Sequence, residues 1–276
     1  MTKTLYLAIA IIFGSVSNVT TQTYELNWEV ARTQSHFFKV IYENLEGDLE
    51  FSMGQYDEED FSSPWFNETL EDLFEHSNQY AILNARPDGL LDASIVTVPS
   101  KSVTEPPLAF WQSPEVQHGL INRSGKNESF FLAPMQKNLF SLFFQLPEQA
   151  VQIGQEWPID LNMLNASAGI YPELSSKVVK AKLTNVKKKR GDTEASIQYE
   201  IKEYLEGNYQ GQHIIAKAQI IGKAIFLLKA GRWKRFDAVM SIEGTGFMQG
   251  SQQIRFALKP IDKVPSEVLQ LLEDSK

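Results

Sequence analysis

The stretch "TEASIQYEIKEY" (residues 193–204) decides the fold class, because apolar and polar side chains alternate along it without a break. The apolar residues at successive odd positions are Ala195, Ile197, Tyr199 and Ile201. Successive side chains of a β-strand point to opposite faces, so a period of two predicts a strand with one buried face and one wet face. The stretch "QIRFALK" (253–259) repeats the pattern and predicts a second strand of the same kind.

Short segments that contain glycine separate the alternating runs. Such segments at 188–194 ("KKRGDTE") and 229–233 ("KAGRW") predict tight turns between neighbouring strands. Together they predict a meander of four or five long antiparallel strands from about residue 178 to residue 258. In the first half, "YELNWEV" (24–30) is predicted to be a strand, and "NLEGDL" (44–49) is predicted to be a turn.

Three segments have the apolar spacing of helices instead. They lie at 62–77, at 133–147 and at 264–275, and each places apolar residues three or four positions apart. We therefore predict an α+β fold that is mainly β. Its core element is a long, curved antiparallel sheet, a half-barrel-like meander, with two or three helices packed on it.

The first 21 residues have the layout of a secretory signal peptide. Lys3 precedes an apolar run at residues 5–13, and a small, polar segment continues to Thr21. That run is too short to span a membrane, and no later segment is long and apolar enough to do so. We expect an exported protein, located in the periplasm, associated with the outer membrane, or extracellular.

Residues 22–276 are predicted to form one exported β-rich domain. It divides into two sub-halves, at about 22–111 and 129–276. A connection at 99–128 joins them; it is rich in Pro and Ser and shows no period.

Composition excludes several kinds of chemistry. The chain has no cysteine, which rules out thiol catalysis, cysteine–zinc sites and iron–sulfur clusters. None of its four histidines lies within four residues of another, so no local metal motif exists, and we predict neither a metal nor a cofactor. A net charge of −8, together with export, disfavours nucleic-acid binding.

Charge is also unevenly placed along the chain. Twelve acidic residues and no Lys or Arg lie between residues 40 and 85, whereas seven basic residues and no acid lie between 176 and 190. This pattern predicts either two solvated edges or a polarised molecule.

Pairs of adjacent phenylalanines occur at 37–38, 130–131 and 143–144. In a strand, such a pair places one ring on each face of the sheet, so both faces need a cover. The cover is provided by the helices and the connection, by an apolar ligand or lipid, or by a partner protein of the cell envelope. For the ligand hypothesis, the predicted apolar lining consists of Trp28, Phe38, Phe51, Trp111, Phe144 and Trp157.

The segment "LPEQAVQIGQEW" (146–157) is predicted to lead from a helix through a turn into a strand. Its signature residues are Leu146, Pro147, Val151, Gly154 and Trp157. This Leu-Pro-x3-Val-x2-Gly-x2-Trp pattern resembles one found in an uncharacterised family of exported bacterial proteins, typical of the Bacteroidota. The chain departs from that family at Gln155, where Asp is common, and at 33–34, where Gly-Asp is common.

The layout of that family is distantly similar to the curved-sheet lipoprotein carriers of the LolA and LppX type. The resemblance implies a β-meander fold but does not fix a function. We predict a non-catalytic envelope protein that binds an apolar ligand or serves as an accessory subunit of an envelope complex. The alternative hypothesis is a secreted hydrolase that uses a pair of carboxylates.

Overall fold

The computed structural model describes residues 22–51, 77–99, 115–129, 134–164, 170–209, 211–246 and 248–275. The predicted signal peptide (1–21), nearly all of the predicted helix at 62–77, and residues 100–114 of the predicted connection lie outside this part of the chain.

Within the described residues, the protein has twelve strands and two helices. The strands are β1 (Thr23–Tyr24), β2 (Ser35–Phe51), β3 (Ser77–Ala85), β4 (Leu91–Pro99), β5 (Glu115–Ile121), β6 (Val151–Gln152), β7 (Glu156–Pro158), β8 (Ile170–Lys189), β9 (Asp192–Tyr209), β10 (Gln212–Leu227), β11 (Arg232–Thr245) and β12 (Met248–Ile261). The helices are α1 (Pro134–Phe144) and α2 (Ser266–Asp274).

Ten of these strands form one antiparallel sheet in the order β5-β4-β3-β2-β12-β11-β10-β9-β8-β7, and β1 pairs separately with β6. β5 and β7 form the two edges of the large sheet, which is therefore open. The fold is α+β and mainly β, as the alternating sequence predicts. Because β2 pairs with β12, one continuous sheet joins the two predicted sub-halves.

The predicted meander is present as β8 to β12, with the predicted turns at 190–191 and 228–231. Tyr199 and Ile201 are completely buried, whereas Lys202 on the opposite face is exposed. We call the face that carries Tyr199 the inner face and the opposite face the outer face.

The predicted turn at 44–49 is wrong. β2 runs through this segment and absorbs one extra residue as a β-bulge, because Asn44 pairs with Ile254 whereas Glu46 pairs with Gln253. Gly47 has a φ of 85°, and a Cβ atom there would lie 2.1 Å from the carbonyl oxygen of Ser251. Glycine is required here because the two strands approach each other closely, and the chain does not reverse its direction.

Two other boundaries also need correction. Residues 115–121 of the predicted connection form β5, a strand that pairs with β4 at the sheet edge. The predicted strand at 24–30 keeps its alternating burial, with Leu26 and Trp28 buried, but only Thr23–Tyr24 pairs with another strand. The alternation in this segment therefore indicates an extended chain with one buried side, although most of the segment does not pair with another strand.

The helices cover opposite faces of the sheet, and both were predicted. α1 contributes Phe140, Phe143 and Phe144 to the main core, which includes inner-face residues. On the outer face, Val268 and Leu272 of α2 join a second core cluster with residues of β3 and β4. The Phe37–Phe38 pair divides as predicted: Phe38 lies in the main core and Phe37 packs against the α2 cluster.

Candidate functional site

Two of the predicted lining residues, Phe38 and Phe144, pack in the core against a third, Trp28. The ring of Trp28 lies edge-to-face against those of Phe38 and Phe144, with centroids 6.1 Å and 5.8 Å apart. Phe226 and Trp233 complete the cluster around the same indole, at 5.4 Å and 5.6 Å. At these distances the rings fill the space between them, so the cluster is packed core.

The two tryptophans of this cluster also complete the end of α1. The indole Nε1–H of Trp28 donates to the carbonyl oxygen of Phe144, and that of Trp233 donates to the carbonyl oxygen of Phe143, each at 2.7 Å. The last carbonyls of a helix have no partner within the helix, so these bonds satisfy groups that burial would otherwise leave unpaired. The sequence predicts neither of these hydrogen bonds, because their partners lie 116 and 90 residues apart in the chain.

The signature segment connects α1 to the edge of the large sheet. The backbone N–H of Leu146 donates to Ser124 at 2.7 Å, and that of Gly154 donates to Leu183 of β8 at 2.6 Å. Gly154 has a φ of 92°, which favours glycine. Val151 is buried on β6, and Trp157, also buried, lies opposite Ala181 in the β7–β8 ladder.

The remaining predicted residues do not form a site with these. Pro147 is buried at the exit of α1. The side chain of Phe51 and the whole of Trp111 lie outside the described residues. The structure therefore places Phe38 and Phe144 against Trp28 and puts Trp157 in the same core.

A cavity of about 690 Å³ lies instead on the outer face, between α2 and strands β2 to β5. We call it the helix groove. Its apolar wall includes Phe37, Ile82, Leu269 and Leu272. Its polar wall includes Ser35, Asn84, Arg86, Asp92, Ser94 and His118.

The polar wall is organised around His118. Its Nδ1 lies 2.9 Å from Ser94 Oγ on β4, and its Nε2 lies 2.7 Å from Ser275 Oγ just after α2. The ring therefore joins β4, β5 and the end of α2. Ser94 is only 2% exposed, which gives a substrate poor access to its hydroxyl and disfavours a nucleophilic role.

Arg86 fixes the charged end of the groove. Its guanidinium binds Asp88 at 3.0 Å and Asp92 at 3.1 Å, across the β3–β4 turn. The hydrogen bonds from Arg86 hold the pKa of Asp88 below its ordinary value, so that carboxylate stays charged in the neutral range. Asp92 lines the groove and presents a carboxylate of fixed position to it.

Two buried polar residues interrupt the inner face. Glu203 accepts a hydrogen bond from the backbone N–H of Leu164 at 2.9 Å, and Lys177 Nζ lies 3.8 Å from its other carboxylate oxygen. Gln252 is 1% exposed, and neither its amide oxygen nor its amide nitrogen has a hydrogen-bond partner. β10 and β11 separate the two residues in the sheet, so they do not belong to one compact site.

Among the described residues, no group of three or more His, Asp or Glu side chains could hold a metal ion. No helix in this part of the chain is long and apolar enough to cross a membrane. Comparison of the chain with models of protein families, with curated proteins and with solved structures gave no match. The resemblance of residues 146–157 to the exported bacterial family therefore stays a prediction.

Proposed function

We propose that this is a non-catalytic, exported protein of the bacterial envelope, in the periplasm or at the outer membrane, and that it binds an amphipathic ligand in the helix groove. The observation that carries the proposal is a cavity of about 690 Å³ with one apolar wall and one wall of positioned polar groups. Small-molecule sites have this combination, within a range of roughly 300–1,000 Å³. The location rests on the predicted signal peptide.

The apolar wall supports a ligand with a hydrocarbon part. Phe37 and Ile82 project from the outer face of β2 and β3, and Leu269 and Leu272 face them from α2. Leu269 remains 45% exposed, so the wall offers apolar surface that the protein itself does not bury. Covering that surface with a ligand is favourable by about 25 cal/mol per Å² of area removed from water.

The polar wall supports a ligand that also forms hydrogen bonds. The His118–Ser275 contact and the Arg86–Asp92 pair hold polar groups in place before a ligand arrives. Groups fixed in this way lose little conformational entropy on binding. We therefore expect a ligand with hydroxyl, amine or amide groups beside an apolar portion.

The groove replaces the aromatic cluster as the proposed ligand site. The cluster around Trp28 is filled by its own rings, and it does not line the groove. A ligand there would have to displace core side chains, whereas the groove is open without such a change.

Mass spectrometry of organic extracts from the purified protein tests the proposal. We expect a stoichiometric small molecule from the native protein and from Leu45→Glu, but not from Leu269→Glu. Leu45 is the matched control, because it is 46% exposed and lies at the bulge of β2, outside the groove lining. An extract without ligand, together with co-purifying envelope proteins, would instead support the accessory-subunit hypothesis.

A further inference from the structure

The end of β8 and the turn that follows it carry a cluster of basic residues that forms no ion pair within the described part of the chain. Lys187, Lys188, Lys189 and Arg190 are consecutive and exposed. Because successive strand residues point to opposite faces, their side chains project on both sides of the sheet. The turn therefore presents positive charge in several directions at the end of the sheet.

Several other lysines of the meander each have a carboxylate close by. Lys180 lies 3.1 Å from Glu156, Lys217 lies 3.1 Å from Glu243, and Lys234 lies 2.6 Å from Glu194. The turn thus stands out within a chain of net charge −8. General solubility does not require four uncompensated cations in a row.

Asp192 fixes the shape of this end of the molecule. Its carboxylate accepts hydrogen bonds from the backbone N–H groups of Lys229 at 2.9 Å and Ala230 at 3.0 Å. These bonds tie the β8–β9 turn to the β10–β11 turn and place exposed Lys229 beside the four basic residues. We call this group the basic end: Lys187, Lys188, Lys189, Arg190 and Lys229.

We propose that the basic end docks the protein onto a bilayer surface that contains anionic phospholipids. Each Lys or Arg near such a surface adds attraction, which acts within a Debye length and weakens with salt. Two turns tied together at the end of the sheet suit end-on contact with a flat surface. Residues 187–192 contain no aromatic side chain on which nucleic-acid bases could stack, which favours lipid over nucleic acid.

Co-sedimentation of the full chain with vesicles tests the proposal. One vesicle preparation contains phosphatidylglycerol and phosphatidylcholine, and the other contains phosphatidylcholine alone. We expect salt-sensitive binding to the first. The triple variant Lys187→Gln, Lys188→Gln, Lys189→Gln should reduce its partition coefficient by about 100-fold.

The control makes the same charge change towards the opposite end of the sheet, with Lys177→Gln, Lys202→Gln and Lys217→Gln. These three lysines lie on β8, β9 and β10, near the β9–β10 turn rather than the β8–β9 turn. The control should bind within a few-fold of the native protein. Equal loss in both triple variants, equal binding to both vesicle types, or tighter binding to a single-stranded oligonucleotide than to anionic vesicles would each overturn the proposal.

Discussion

Replacing Trp233 by Phe tests whether the indole caps of α1 stabilise the fold. The substitution keeps an aromatic ring in the core but removes the N–H that donates to the carbonyl oxygen of Phe143 at 2.7 Å. A buried carbonyl left without a donor costs about 1–3 kcal/mol. The smaller ring also leaves a void, which adds about 1–2 kcal/mol.

The free energy of unfolding should therefore fall by about 2–5 kcal/mol, a large part of the roughly 5–15 kcal/mol typical of a domain. Urea denaturation followed by circular dichroism measures it, provided that the slope of the transition stays unchanged.

Trp157 provides a matched control within the same chain. It is also buried, at 6% exposure, but its Nε1–H has no hydrogen-bond partner. Trp157→Phe leaves a similar void yet removes an unsatisfied donor, so the two effects offset each other and the net change should stay within about 1 kcal/mol. Equal losses for Trp157→Phe and Trp233→Phe would refute the reasoning, because ring volume alone would then explain both.

Three further predictions concern other parts of the fold. Gly125→Ala should lower the free energy of unfolding by about 2 kcal/mol more than Gly89→Ala does, as measured by urea denaturation. Both glycines have a positive φ, but only at Gly125 would a Cβ atom clash, because it would lie 1.8 Å from the carbonyl oxygen of Phe144 at the end of α1. Gln252→Leu should raise the free energy of unfolding by about 1–2 kcal/mol, because it removes a buried amide without partners. Gln253→Leu, on the exposed face of the same strand, should change it by less than about 0.5 kcal/mol. Hydrogen bonds from Arg255 and Arg235 lower the pKa of Asp237 below its ordinary 3.8. The charged carboxylate therefore stabilises the fold above pH 3.8, and this stabilisation is lost as the pH falls through the lowered value. In unfolding curves measured over a series of pH values, Asp237→Asn should show a smaller loss of stability on the acid side.

The strands could be predicted from sequence because their signal is local. Alternation over a few residues identified β9 and β12, and glycine between two such runs identified the turn at 190–191. The same rule failed at Gly47, where glycine permits a bulge inside a strand. Composition alone does not separate the two cases, since both place glycine between extended segments.

The candidate site could not be predicted because its residues are distant in sequence. The helix groove combines Phe37, Asn84, His118 and Leu272, which come together only after β2 to β5 align and α2 docks. No short segment contains two of these residues. The aromatic residues that sequence reasoning chose for a ligand, such as Trp28, are instead the ones with the most area to bury, and they form the core.

Antiparallel pairing places the two proposed surfaces at the same end of the sheet. Ser35 at the start of β2 pairs with Asn84 near the end of β3, and this is the end at which β12 finishes and β11 begins. Following the ladders from β11 to β8 brings the β8–β9 turn to that end as well. β4 and β8 are seven strands apart in the sheet order, or about 35 Å at roughly 4.8 Å per strand, so the groove and the basic end share no residues and can be altered separately. Under both proposals, Leu269→Glu should therefore abolish ligand binding while leaving attachment to anionic vesicles intact.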